Sequence, residues 1–134
     1  MRRYIFLLAS AVLSLSLGCS PIEPPVVDAS ALPDTTDHTG PYEVTARVQA
    51  RRKIHAVTLV WQNLSEGTVQ TQRLEMSESA DSIYRASIPG QGTGAKIAFH
   101  VEATDDSGDT GAAPSPGASA QCGDNYCFHV LATP

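Results

Sequence analysis

From Tyr42 onward the apolar residues of this chain recur at every second position, and that period limits the fold more than any other feature. Tyr42, Val44, Ala46 and Val48 alternate with Glu43, Thr45, Arg47 and Gln49, and Val57, Leu59 and Trp61 with Thr58, Val60 and Gln62. Tyr84, Ala86 and Ile88 alternate with Arg85 and Ser87. Ile97, Phe99, Val101 and Ala103 alternate with Ala98, His100, Glu102 and Thr104, and Tyr126, Phe128 and Val130 with Cys127, His129 and Leu131. Successive side chains of a strand point to opposite faces, so each run turns one apolar row toward a core. No segment sustains the i, i+3, i+4 spacing of a helix over three turns, and clusters of Gly, Pro, Asn and Asp separate the runs. A further strand fits 68–74, and an edge strand fits about 25–30, where prolines are tolerated. The expectation is an all-β domain of seven strands, folded as a sandwich of two sheets that each bury one face.

The N-terminus has a different character. Met1-Arg2-Arg3 is basic, Tyr4 to Leu17 is apolar, and Gly18 precedes Cys19. Such a run is too short to span a bilayer of roughly 30 Å and reads as a removed segment. Leu15-Ser16-Leu17-Gly18-Cys19 resembles the lipobox of bacterial lipoproteins, with Ser16 where leucine is commonest. The resemblance implies cleavage after residue 18, lipidation of Cys19 with palmitate-type acyl chains, and export to the cell envelope. Ser20 after the cysteine points to the outer membrane, on either its periplasmic face or the cell surface. The expected organisation is a signal peptide over 1–18, a lipidated tether over 19–24 and a sandwich over 25–134. Loss of Arg2 and Arg3 leaves seven of the nine basic residues against fourteen acidic ones. That balance argues against nucleic acid and against adsorption to anionic lipid by charge alone. The membrane is then held through acyl chains, which suffice when two or more are present.

With Cys19 lipidated, Cys122 and Cys127 remain as an even pair in an oxidising compartment, and they are expected to form a disulfide. The loop between them holds Gly123 and Asn125, which suit a tight turn. So short a loop is worth about 2 kcal/mol in chain entropy, and its role is to pin the start of the last strand.

Thr39 to Val48, Ile83 to Gly90, and Ala95 to Asp105 with the following Asp106-Ser-Gly-Asp109 are similar to bacterial Ig-like or fibronectin type III-like modules. The resemblance covers about residues 24–131 and implies a scaffold, with no catalytic residues to carry over. Two features depart from that pattern: the long Gly-, Ala-, Ser- and Pro-rich segment from Ser107 to Gln121, and the cysteine pair.

A fibronectin-like strand order brings the loops at 51–53, 75–82 and 105–124 to one end. Arg51, Arg52 and Lys53 then face Glu75, Glu78 and Asp81 on one side and Asp105, Asp106 and Asp109 on the other. This charged rim is the candidate binding site, since loops on a rigid scaffold tend to carry function. Charge compensation between solvated turns, about 0–1 kcal/mol per exposed pair, is the plainer account. Asp105 to Asp109 lacks the spaced ligand series of a calcium loop and reads better as a turn. His100, His129 and Cys127 fall on one outward face, a metal-ligand set only if the thiols are reduced. Trp61, Tyr42, Tyr84 and Tyr126 alternate in phase with Val and Phe, which assigns them to the core rather than to a sugar platform.

No Gly-x-Ser-x-Gly, His-Glu-x-x-His or phosphate-loop pattern is present, and no base stands beside a nucleophile in the sequence. The expectation is a non-catalytic, cofactor-free display or binding module on a lipid, meeting a protein or envelope glycan through loops or an edge strand. The competing expectations are a structural envelope lipoprotein without a ligand and an accessory subunit presenting substrate to a secreted enzyme.

Overall fold

A computed structural model describes residues 23–115 and 122–134. The signal segment, Cys19 with the first part of its tether, and 116–121 of the long connection lie outside the described residues. All regular structure among those described is β. In chain order the strands are β1 (Val26–Ala29), β2 (Tyr42–Gln49), β3 (Ile54–Asn63), β4 (Gln72–Glu75) and β5 (Ser77–Ala80), followed by β6 (Ile83–Ile88), β7 (Lys96–Asp105), β8 (Thr110–Ala113) and β9 (Tyr126–His129).

Two antiparallel sheets result, one ordered β1-β2-β6-β5 and the other β4-β3-β7, with β8 and β9 both pairing the far side of β7. This is the immunoglobulin-type order: A-B-E-D against C-F-G, with β4 as the added C′ strand. The last strand, G, is divided. β8 pairs the second half of β7, from Val101↔Ala113 to Thr104↔Thr110, and β9 pairs the first half, from Lys96↔His129 to Phe99↔Tyr126.

The described residues therefore form nine strands where alternation marks seven. β9 was legible in the sequence and β8 was not, because Thr110-Gly-Ala-Ala113 has no large apolar side chain to betray a period. β4 begins four residues later than the sequence suggests. β5 was missed because Ser77-Glu-Ser-Ala80 is exposed throughout and buries no face.

The core lies where the period predicts. β2 buries Tyr42, Val44, Ala46 and Val48 and exposes every residue between them. Opposite, Val57, Leu59, Ile97, Phe99, Val101 and Ala103 are almost completely buried. Phe128 meets Tyr42 edge-on across the two sheets with ring centroids 5.2 Å apart, and Phe99 lies 5.4 Å from Tyr126 on the neighbouring strand of its own sheet. Trp61, Tyr84 and Tyr126 are half-buried against this cluster. These placements make the aromatic residues packing residues, as the sequence indicated.

One side of the sandwich is closed and the other is open. After β1 the chain crosses between sheets, and Thr35 pairs parallel with Val130: Thr35 N–H donates to the His129 carbonyl at 2.9 Å and Leu131 N–H to the Thr35 carbonyl at 2.7 Å. At the other half of that side, Pro25 approaches β8 so closely that a Cβ on Gly111 would overlap the Pro25 carbonyl. Glycine is required there. On the opposite side the chain passes from β4 through buried Met76 into β5, and both strands present a bare edge.

Candidate functional site

The charged end is assembled by hairpin geometry. Ile54 pairs with Asp105, which sets the turn after β2 beside the turn after β7. Asp106 N–H donates to the Lys53 carbonyl at 3.0 Å and ties the two together. The β5–β6 turn joins them through Val48 N–H and the Ser82 carbonyl, 2.9 Å apart. Arg51, Arg52, Lys53, Asp81, Asp105, Asp106 and Asp109 thus share one end, as the sequence indicated. Glu78 borders that end, its Oε1 accepting from Ser82 N–H at 3.3 Å. Glu75 does not belong there, and neither does the connection beyond Thr110. Glu75 lies opposite Thr58 in the middle of β3, and β8 carries the chain away toward the middle of β7.

Asp105 is not a rim residue. It is 2 % exposed. One carboxylate oxygen accepts from Ser107 Oγ at 2.6 Å, Ser107 N–H at 2.9 Å and Asp109 N–H at 3.1 Å. The Ser107 hydroxyl, working against the cost of burial and helped by the two amides and by nearby Arg52, holds the carboxyl below the usual aspartate range. Asp109 accepts a second bond from the same hydroxyl at 3.2 Å. Gly108 turns the chain at φ +89. The Asp-rich pentapeptide is a self-satisfied turn. No group of three or more His, Cys, Asp or Glu converges as for a metal among the described residues.

Arg51 and Lys53 are exposed and Arg52 is half-buried. None of the three forms an ion pair with a carboxylate among the described residues; the arginines that do are Arg73 and Arg85. Local compensation thus accounts for the acids of the turn better than for the cations beside it.

A second polar group, not anticipated from sequence, runs across the outer face of the β4-β3-β7 sheet. His100 Nδ1 lies 2.8 Å from Asn125 Oδ1 and its Nε2 2.9 Å from Glu102 Oε1, while Arg73 donates to Glu102 Oε2 at 2.6 Å. Partial burial opposes ionisation of Glu102, but the hydrogen bonds from His100 and Arg73 outweigh it and lower its pKa. Alternation does place His100 and Glu102 on one face. It cannot supply Arg73, whose approach depends on the β3–β4 register that sets it across from Val60.

The histidines do not converge. His129 pairs with Lys96, four residues along β7 from His100, a separation of roughly 13 Å at strand rise. It is held instead by Asp34, whose carboxylate accepts from His129 N–H at 2.7 Å and lies 3.3 Å from Nδ1. That backbone amide, with the ring, lowers the Asp34 pKa against a smaller cost of burial.

Cys122 and Cys127 are joined as expected. Cys122 and Asn125 exchange backbone hydrogen bonds at 3.2 Å, so the disulfide closes a miniature turn directly before β9. The Asn125 contact with His100 lays this turn on the sheet.

No family model matches the chain, and no curated protein does. Among solved structures it is similar to murine CRIg, at 8 % identity, covering 82 % of this chain and 98 % of that one with a TM-score of 0.43. A likeness this distant adds nothing on ligand or activity, and the fold stands on its own strand order and register.

Proposed function

We propose that the chain is a non-catalytic display or binding module, anchored in the outer membrane by lipid on Cys19 and meeting a protein or envelope glycan in the cell envelope. The observation that carries this reading is the shortness of the link between a lipobox-like cysteine and a finished sandwich. β1 begins at Val26, seven residues after Cys19, so the module is built to stand on its anchor.

Several features support engagement by surface and not by chemistry. The hydroxyls of Ser65 and Ser107 bond to the polypeptide around them, and the deeply buried Asp105 satisfies its own turn. β4 offers a regular edge, exposed along its whole length, that an extended peptide can extend by strand addition. β5 is less suited, since a register shift between Glu78 and Ala80 interrupts its pairing with β6 and edge bulges discourage addition.

In-cell crosslinking followed by capture of the lipidated chain tests the reading. One specific partner is expected, lost when Glu75→Pro removes a backbone donor from the open side of β4. Recovery of the same abundant envelope proteins from wild type and from this variant would favour a structural lipoprotein instead.

A further inference from the structure

We infer that the end bearing Arg51, Arg52 and Lys53 is the membrane-facing end of the module, and that these cations contact the phosphates of a zwitterionic phospholipid headgroup layer. The inference rests on the lipid anchorage proposed above. It reassigns the charged loops from a rim for a soluble partner to a foot on the bilayer.

Chain length sets the first constraint. Glu23, Pro24 and Val26 line one cleft with Gln49, Ala50 and Arg51, so the described chain starts beside the basic loop. Only four residue steps separate Glu23 from Cys19, and four residues reach at most about 14 Å. A lipid on Cys19 therefore holds the 51–53 end within that distance of the interface. β3 and β7 are ten residues each and carry the opposite end roughly 33 Å farther along the strand axis.

The tether alone allows the sandwich to lie on its side, and charge selects against that. Three consecutive cations sit at the anchored end, none in a salt bridge among the described residues, although Arg52 lies near Asp105. The loops of the far end, 63–67 and 89–94, contain no lysine or arginine. Acids are present at the anchored end too. Asp105 and Asp109 accept from the Ser107 hydroxyl, a neutral donor that offsets none of their charge, and Glu23, Glu78, Asp81 and Asp106 are exposed beside them. An end with both signs exposed fits a headgroup that offers both a phosphate and an ammonium, and fits a purely anionic surface poorly. Upright on this foot, the module turns the bare β4 edge and the His100–Glu102 face sideways, clear of the bilayer.

The test is amide NMR of the lipidated chain in nanodiscs of phosphatidylethanolamine and phosphatidylcholine doped with a gadolinium-chelate lipid. Relaxation enhancement is expected to be at least several-fold greater at 51–53, 81–82 and 106–108 than at 64–67 and 91–94. Arg51→Gln, Arg52→Gln and Lys53→Gln together, at exposed or half-exposed sites with the melting temperature checked, are expected to flatten that gradient while acylation stays intact. Equal enhancement at both ends of the wild-type chain would overturn the orientation. An unchanged gradient in the triple variant would overturn the headgroup contact. A wild-type chain whose mass shows no acyl group would overturn the anchorage itself, an outcome distinct from either.

Discussion

Asp105 shows how one carboxylate can organise an end of a sandwich. Its three internal hydrogen bonds depress its pKa below the ordinary 3.8 of aspartate, so the ionised form is the one the fold prefers. Asp37 is depressed in the same way by the Thr39 hydroxyl first, then by the Thr39 and Gly40 amides. For a depressed carboxyl the stabilisation is complete above the unfolded pKa and is lost as pH falls through the folded one. Thermal stability is therefore expected to hold from neutrality down to about pH 4.5 and to decline below pH 3.8. Asp105→Asn should melt lower than wild type at pH 7 and show a shallower decline in acid; parallel profiles would contradict this assignment. Gly111→Val is expected to be among the most damaging surface-edge changes, because its side chain meets the Pro25 carbonyl. A melting temperature equal to wild type would show that β1 can move aside at little cost. Neither role was legible beforehand. The sequence shows five residues of turn composition at 105–109, whereas the first of them ends β7 in register with Ile54, a pairing that only the assembled sheet supplies.

At the scale of elements, legibility follows burial. β2 and β7 each bury alternate residues, and both stood out at once. β4 and β5 are exposed throughout, and of the two only β4 was marked, weakly and with its start four residues early. The divided G strand was hidden for another reason: β8 is built of small residues, and only pairing with Val101 to Thr104 gives it a place. The cysteine pair was legible, being the two left over when Cys19 is assigned to the lipobox-like segment. Replacing both Cys122 and Cys127 by serine is expected to cost about 2 kcal/mol in denaturant unfolding, since the closed loop is short. Faster hydrogen exchange around Asn125 should accompany the loss, because the turn lies on His100 through that residue. An undiminished stability would mean the turn is held by its backbone bonds alone. Glu102→Gln should cost no more than about 1 kcal/mol, because Arg73 is largely solvated and Glu102 and His100 keep partial contact with water. A loss well beyond that would give the His100–Arg73 relay a structural weight not expected of a surface network.

The whole molecule is a core of two facing apolar layers with its polar features on ends and edges. Leu59 is completely buried at the centre of β3, and Leu59→Ala is expected to cost about 2–5 kcal/mol. That is a large share of the 5–15 kcal/mol typical of a domain, so denaturant titration should show a marked shift in midpoint with little change in slope. By contrast, no single surface residue carries the fold, which leaves the edges and ends free to specialise. In the function proposed, the location of the module is decided outside the sandwich, at Cys19. The most direct test of this account is therefore the mass of the N-terminal peptide of the mature chain isolated from the membrane fraction. The account predicts a chain beginning at Cys19, heavier than its sequence by a diacylglyceryl group and an amide-linked acyl chain, and shifted to the soluble fraction by Cys19→Ala. An unmodified cysteine, or a chain beginning at any other residue, would contradict it.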